Sequence, residues 1–137
     1  MENVISEERA TEILNEFFDW YNFDVDVIDD EDTKPTLRTS ILKMKRAIRQ
    51  GLLEVEVTDT ITITQNLKHE IPTVGKELKY KEIDGSSKVG IKDSSQSVAK
   101  VYMFLGALCG EGLEVIQKLK GPDLSLAEAL GFVFLQI

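Results

Sequence analysis

The spacing of apolar positions changes period along this chain, and each change marks a different kind of element. After Ser6, the residues Ala10, Ile13, Leu14, Phe17, Phe18 and Tyr21 recur at steps of three and four, which is one face of a helix. Ser6 supplies a capping hydroxyl, and Glu7 and Glu8 suit the positive end of the helix dipole. Trp20 lies off this stripe and is a candidate contact residue. A second helix is predicted from about Pro35 to Gln50, with proline in the first turn and Gly51 as its stop. Its apolar row is Leu37, Ile41, Met44 and Ile48. Between the two helices, Phe23 to Val27 alternates and predicts a short edge strand.

From Leu52 the period becomes two. Leu53, Val55 and Val57 alternate with Glu54, Glu56 and Thr58, and after Asp59-Thr60 the pattern resumes with Ile61 and Ile63. This predicts a hairpin with one wet and one buried face, its second strand extending through Leu67 toward Ile71 before Pro72 and Gly75 break it. Residues 77 to 83 alternate again, and Asp84-Gly85 is a turn signal with a short return at Val89 and Ile91. The Ser-, Lys- and Gly-rich stretch from Ser86 to Gln96 reads as a connection.

The last third is different in kind. Residues 98 to 109 are apolar except Lys100 and Gly106, and residues 126 to 137 are apolar except Glu128, Gly131 and Gln136. A helix with Val98, Val101, Tyr102, Leu105, Leu108 and Cys109 inward is predicted, punctuated by glycines 106, 110 and 112. A short helix follows with Leu113, Ile116 and Leu119 inward. A final helix starts at Asp123 or Ser125, where Ser125 and Glu128 have capping-box spacing. Helices apolar on more than one face need cover on more than one face, from the rest of the chain or from a partner. The expected fold is α+β: a small antiparallel sheet of three to five strands packed with N-terminal and C-terminal helices. One domain is expected over residues 1 to 137, with helical (1–52), stranded (53–92) and helical (93–137) parts.

Charge refines this picture. Residues 1 to 33 hold twelve acids and one base, whereas residues 34 to 50 hold six bases and no acid. On the predicted second helix, Arg38, Lys45 and Arg49 are the candidate nucleic-acid contacts of an alternative reading, a small DNA-binding regulator. The net charge of −8 opposes it, because phosphate backbones and anionic membranes attract basic surfaces. The acidic run Asp24, Asp26, Asp29, Asp30, Glu31 and Asp32 lacks the calcium-loop pattern. Counting from Asp24, Asp29 stands at the glycine position and Pro35 at the closing glutamate position. A solvated loop is expected there.

Catalytic motifs are missing. His69 is the only histidine and Cys109 the only cysteine, so no multi-histidine or multi-cysteine metal site and no internal disulfide can form. There is no phosphate-binding glycine loop and no nucleophile elbow. The chain is expected to be non-enzymatic, with no cofactor or metal. No secretory pattern opens it and no apolar run is long enough to span a bilayer, so a cytoplasmic setting is expected. Surplus apolar surface at the carboxyl end predicts a protein partner or a homo-oligomer, with Tyr102, Leu126, Leu130, Val133 and Phe134 as candidate partner-binding residues.

Residues 53 to 137 resemble the small tail-assembly chaperones of long-tailed phages. The likeness is carried by the strand Asp59-Thr60-Ile61-Thr62-Ile63-Thr64, the strand Glu77-Leu78-Lys79-Tyr80, and a helical tail. In that tail Phe104-Leu105-Gly106-Ala107-Leu108-Cys109-Gly110 is similar to the family's Leu-Thr-Gly-type helix end. Val115-Ile116-Gln117-Lys118-Leu119 followed by Pro122-Asp123-Leu124 is similar to its Leu-x-x-x-Asp-Leu close. The resemblance implies a non-catalytic protein of the host cytoplasm that binds tape-measure and tail-tube proteins during assembly. Residues 1 to 52 fall outside it, and Pro72 precedes the second strand where the family carries its proline after it.

Overall fold

A computed structural model describes residues 3–27, 31–84 and 98–137. In it the chain is α+β. Helices α1 (Glu7–Trp20) and α2 (Thr33–Arg49) precede strands β1 (Leu53–Val57), β2 (Ile61–Ile71) and β3 (Gly75–Tyr80), and helices α3 (Val98–Cys109), α4 (Leu113–Gln117) and α5 (Pro122–Gln136) follow. The strands form one antiparallel sheet in the order β1-β2-β3. The predicted turn at Gly85 and return strand at Val89 and Ile91 lie outside the described residues.

Local chemistry explains most boundaries. The Ser6 hydroxyl accepts the Arg9 N–H at 3.1 Å and opens α1. The expected edge strand at residues 23 to 27 is instead a turn of 3-10 helix over Val25–Val27. The Asp24 carboxylate accepts the Asp26 N–H at 2.9 Å, and this bond competes with strand pairing. At the far end of α2, the Arg49 carbonyl accepts N–H bonds from Val4 and Ile5 at 2.7 and 3.2 Å. The residues before α1 thereby satisfy a helix end that would otherwise leave open carbonyls.

In the sheet, Leu53, Gln65 and Leu78 stand opposite one another, as do Val55, Ile63 and Tyr80. Cross-strand partners share a face, so both rows point the same way. The pairing of β2 with β3 then slips: Asn66 pairs with Glu77 but Ile71 pairs with Gly75. Four residues of β2 lie between those pairs and one of β3, a wide bulge that takes residues 67 to 70 out of the regular ladder.

Helix α5 is central. It packs on α2 along one side, on α3 along another and on β2 beneath. Gly131 permits the approach of α3: a Cβ there would collide with the Val101 side chain and come within 3.1 Å of the Leu105 side chain. Gly106, expected to punctuate, lies inside α3. A Cβ at that position would meet the Gly112 backbone at 2.5 Å, and the Gly112 N–H donates to the Gly106 carbonyl at 3.1 Å. Close folding of the turn into α4 against α3 is what requires glycine here.

Candidate functional site

The structure divides the five candidate partner residues unevenly. Leu130 and Val133 are fully buried, Phe134 is 1% exposed and Leu126 8%. Phe134 packs between the rings of Phe17 and Tyr80, with centroids at 6.1 and 6.0 Å. These four residues are core, which corrects their assignment to an outward surface. The physical reason is their 3.6-residue row: 126, 130, 133 and 134 form the α5 face that lies toward the sheet and α1. Tyr102 alone stands at the surface, half-buried.

The outward row of α5 lies a fraction of a turn away. Ser125, Ala129, Phe132 and Gln136 follow steps of four, three and four, and together with Leu135 they floor an open groove of about 470 Å³. One wall is α2, through Thr36, Ser40 and Lys43; the other is α3, through Val98, Lys100, Val101 and Tyr102. Because α2 and α3 each pack on α5, the groove is the gap between them. Its walls and floor are mixed: Val98, Val101, Phe132 and Leu135 supply hydrocarbon, and Val98 is 58% exposed. The volume lies within the range of sites that take small ligands or side-chain clusters.

Polar groups in the groove are oriented by hydrogen bonds. The Lys43 ammonium donates to the Ser125 hydroxyl at 3.3 Å. The Tyr102 hydroxyl donates to the Glu128 carboxylate at 3.0 Å; burial first, then that bond and the carboxylate's charge, push the phenol pKa upward. Ser125 and Glu128 therefore serve the groove and do not form the expected capping box. Helix α5 begins earlier, at Pro122, where the fixed φ of proline suits a first turn.

Asp123 has a different role. It is buried, and its two carboxylate oxygens accept the backbone N–H groups of Lys68 and His69 at 2.8 and 2.9 Å. Those are N–H groups of the β2 bulge. Gln65, fully buried in the middle of the sheet, donates its amide N–H to the Asp123 carbonyl at 2.8 Å and accepts the Tyr80 hydroxyl at 2.8 Å. Tyr80, Gln65 and Asp123 thus form a continuous buried chain that fixes the start of α5 to the sheet. Burial lifts the Tyr80 phenol well above its usual range, so it stays a hydrogen-bond donor. This chain is structural, and none of the three residues lines the groove.

The alternative residues fare differently. The Lys45 ammonium pairs with Glu7 at 3.1 Å, and Arg49 Nε donates to the Ile5 carbonyl at 3.4 Å. Of the three candidate nucleic-acid contacts, Arg38 is exposed while the other two bind the start of α1 to α2. Trp20 is also engaged: its indole N–H donates to Glu82 at 2.7 Å. No group of three His, Cys, Asp or Glu residues able to hold a metal occurs among the described residues. His69 is exposed at the bulge. The Cys109 thiol is half-buried, and burial raises its pKa, the opposite of what an activated nucleophile requires.

No family model, no curated protein and no solved structure matches this chain. No helix among the described residues is long and apolar enough to cross a membrane.

Sequence reasoning missed the groove because α5 is apolar on nearly every side. Its core row and its groove row have the same period and similar composition, so spacing alone cannot say which faces inward. The one sequence signal lay in the small and polar residues at 125, 129 and 136, which mark the face of α5 that the core does not fill.

Proposed function

We propose that this protein is a non-catalytic assembly factor that holds a protein partner in the groove between α2 and α3. The observation that carries the reading is the outward row of α5, where Phe132 and Leu135 meet Val98 and Val101 on an open surface. Val101, Phe132 and Leu135 are already partly covered and only Val98 is well exposed, so burying what remains open of the four would yield on the order of 3 kcal/mol at about 25 cal/mol per Å², before ordering costs. Association of a segment therefore draws as well on the oriented polar groups of the groove, Lys43, Tyr102 and Glu128, and on preorganisation of both partners.

The finer reading is a tail-assembly chaperone that binds tape-measure or tail-tube protein in the host cytoplasm. It draws support from the resemblance of residues 53 to 137 and from an order of strands followed by a helical tail. Its interface, however, is Tyr102 with Val98, Val101, Phe132 and Leu135, in place of the buried α5 row. An acidic body surrounding an apolar groove suits a carrier that must stay dispersed while shielding hydrophobic segments of another chain.

Co-expression with the tape-measure and tail-tube products, followed by affinity capture, tests this proposal. Capture is expected with the unaltered chain and is expected to fall at least tenfold for Phe132→Asp and Val101→Asp, both still folded by circular dichroism. Equal capture by these folded variants would remove the groove from the account. Capture of neither product would remove the tail-assembly reading.

A further inference from the structure

The groove does not end at Ser125. A second depression of about 330 Å³ continues from it along α2, and Lys43 and Ser125 line both. In this continuation Lys43 and Arg46 of α2 face Lys68 of β2 across the start of α5. All three cations are exposed, and among the described residues no ion pair holds them. The one acid in this stretch, Asp123, has both carboxylate oxygens committed to the bulge. A chain of net charge −8 therefore carries, at one end of its apolar groove, a local concentration of positive charge.

Resting on the groove reading above, we infer that the occupant is an amphipathic helix of about three turns with an acidic end, seated with that end over Lys43, Arg46 and Lys68. Three features select this class. The groove runs beside α5 from Ser125 to Gln136, eleven steps or about 16 Å at 1.5 Å each. It lies between two helices and over a third, a position that a fourth helix would fill to complete a bundle. Small residues, Ser40, Ser125 and Ala129, line it near its basic end, where a helix backbone can come closest. The charge gradient sets the direction: apolar side chains over Phe132 and Leu135, carboxylates over the cations. It also gives the side chains of Arg46 and Lys68 a use that the fold itself does not supply.

Designed helical peptides of sixteen residues, sharing one apolar face and bearing either three Glu or three Lys at one end, test the inference by fluorescence anisotropy. The acidic-ended peptide is expected to bind at least tenfold more tightly at low salt, with the difference shrinking as salt screens it. Lys43→Glu combined with Arg46→Glu should reverse the preference, whereas Phe132→Asp should weaken both peptides. Equal, Phe132-dependent binding of the two peptides would overturn the charge rule and leave the groove reading standing. Binding of neither peptide, alongside Phe132-dependent capture of a protein partner, would overturn the helical occupant. Displacement by lauric acid at equal concentration would point to a small amphiphile, and a dimer dispersed by Phe132→Asp would point to a second copy; either result overturns the inference.

Discussion

Leu130→Asp and Phe134→Asp should each leave the chain unfolded at room temperature, while Phe132→Asp, between them in sequence, should fold. The reason is position on α5. Leu130 has no exposed surface and Phe134 has 1%, so either substitution removes a packed side chain, worth about 2 to 5 kcal/mol. It also places a carboxylate where nothing hydrogen-bonds to it. Burying an unpaired polar group adds several kcal/mol more, and the sum rivals the roughly 5 to 15 kcal/mol by which domains of this size are stable. Phe132 is half-buried at the groove, and a carboxylate there reaches water. Far-ultraviolet circular dichroism and urea denaturation of the three variants check the expectation. The contrast also bears on how binding defects are read, since loss of capture in the two core variants would report unfolding and not a lost contact.

Asp123→Ala should lower stability by about 2 to 5 kcal/mol, measured as the shift in urea midpoint at unchanged slope. The substitution orphans the part-buried Lys68 and His69 N–H groups in the β2 bulge, and each unsatisfied donor that water does not reach costs about 1 to 3 kcal/mol. The Gln65 amide still finds the residue-123 carbonyl, so the sheet end of the chain survives. Asp123→Asn retains one acceptor oxygen and should cost about half as much. Hydrogen exchange should locate the loss: amides 68 and 69 and the first turn of α5 gain exchange, while those of α1 stay protected. Uniform loss of protection, or no change in midpoint, would mean that the bulge is held by something other than this carboxylate.

These two cases also show what the sequence made legible. Local signals were read correctly where one bond decides the outcome, as at Ser6 before α1, or where alternation leaves one face dry, as in the first half of β2; in β1 that face is dry only at Leu53, and Val57 is 38% exposed. The second helix begins two residues before Pro35, at Thr33, and β3 ends at Tyr80 short of Ile83. There the Lys81 N–H turns to the Leu108 carbonyl of α3 at 3.1 Å, a partner 27 residues away in sequence. The same nonlocality hid Asp123. Nothing in Pro122-Asp123-Leu124 says that its carboxylate serves a strand bulge some fifty residues earlier. The edge strand expected at residues 23 to 27 failed for the converse reason, because a two-residue Asx bond outweighed a weak alternation. For α5, apolar residues on both faces made the inward row undecidable from spacing, and only the arrangement of α2, α3 and β2 around it settles which row is covered.

The orientation of α5 is the claim on which the groove, its partner and the peptide rule all depend, and thiol labelling measures it directly. In a Cys109→Ala background, single cysteines replace Val133 and Leu135, and their rates of reaction with a maleimide are compared with the same chains in denaturant. The account predicts that Leu135→Cys reacts within about tenfold of its denatured rate, because it lies on the groove, and that Val133→Cys is slowed at least a hundredfold. Fast labelling at 133 with protection at 135 would place the opposite face of α5 outward and contradict it.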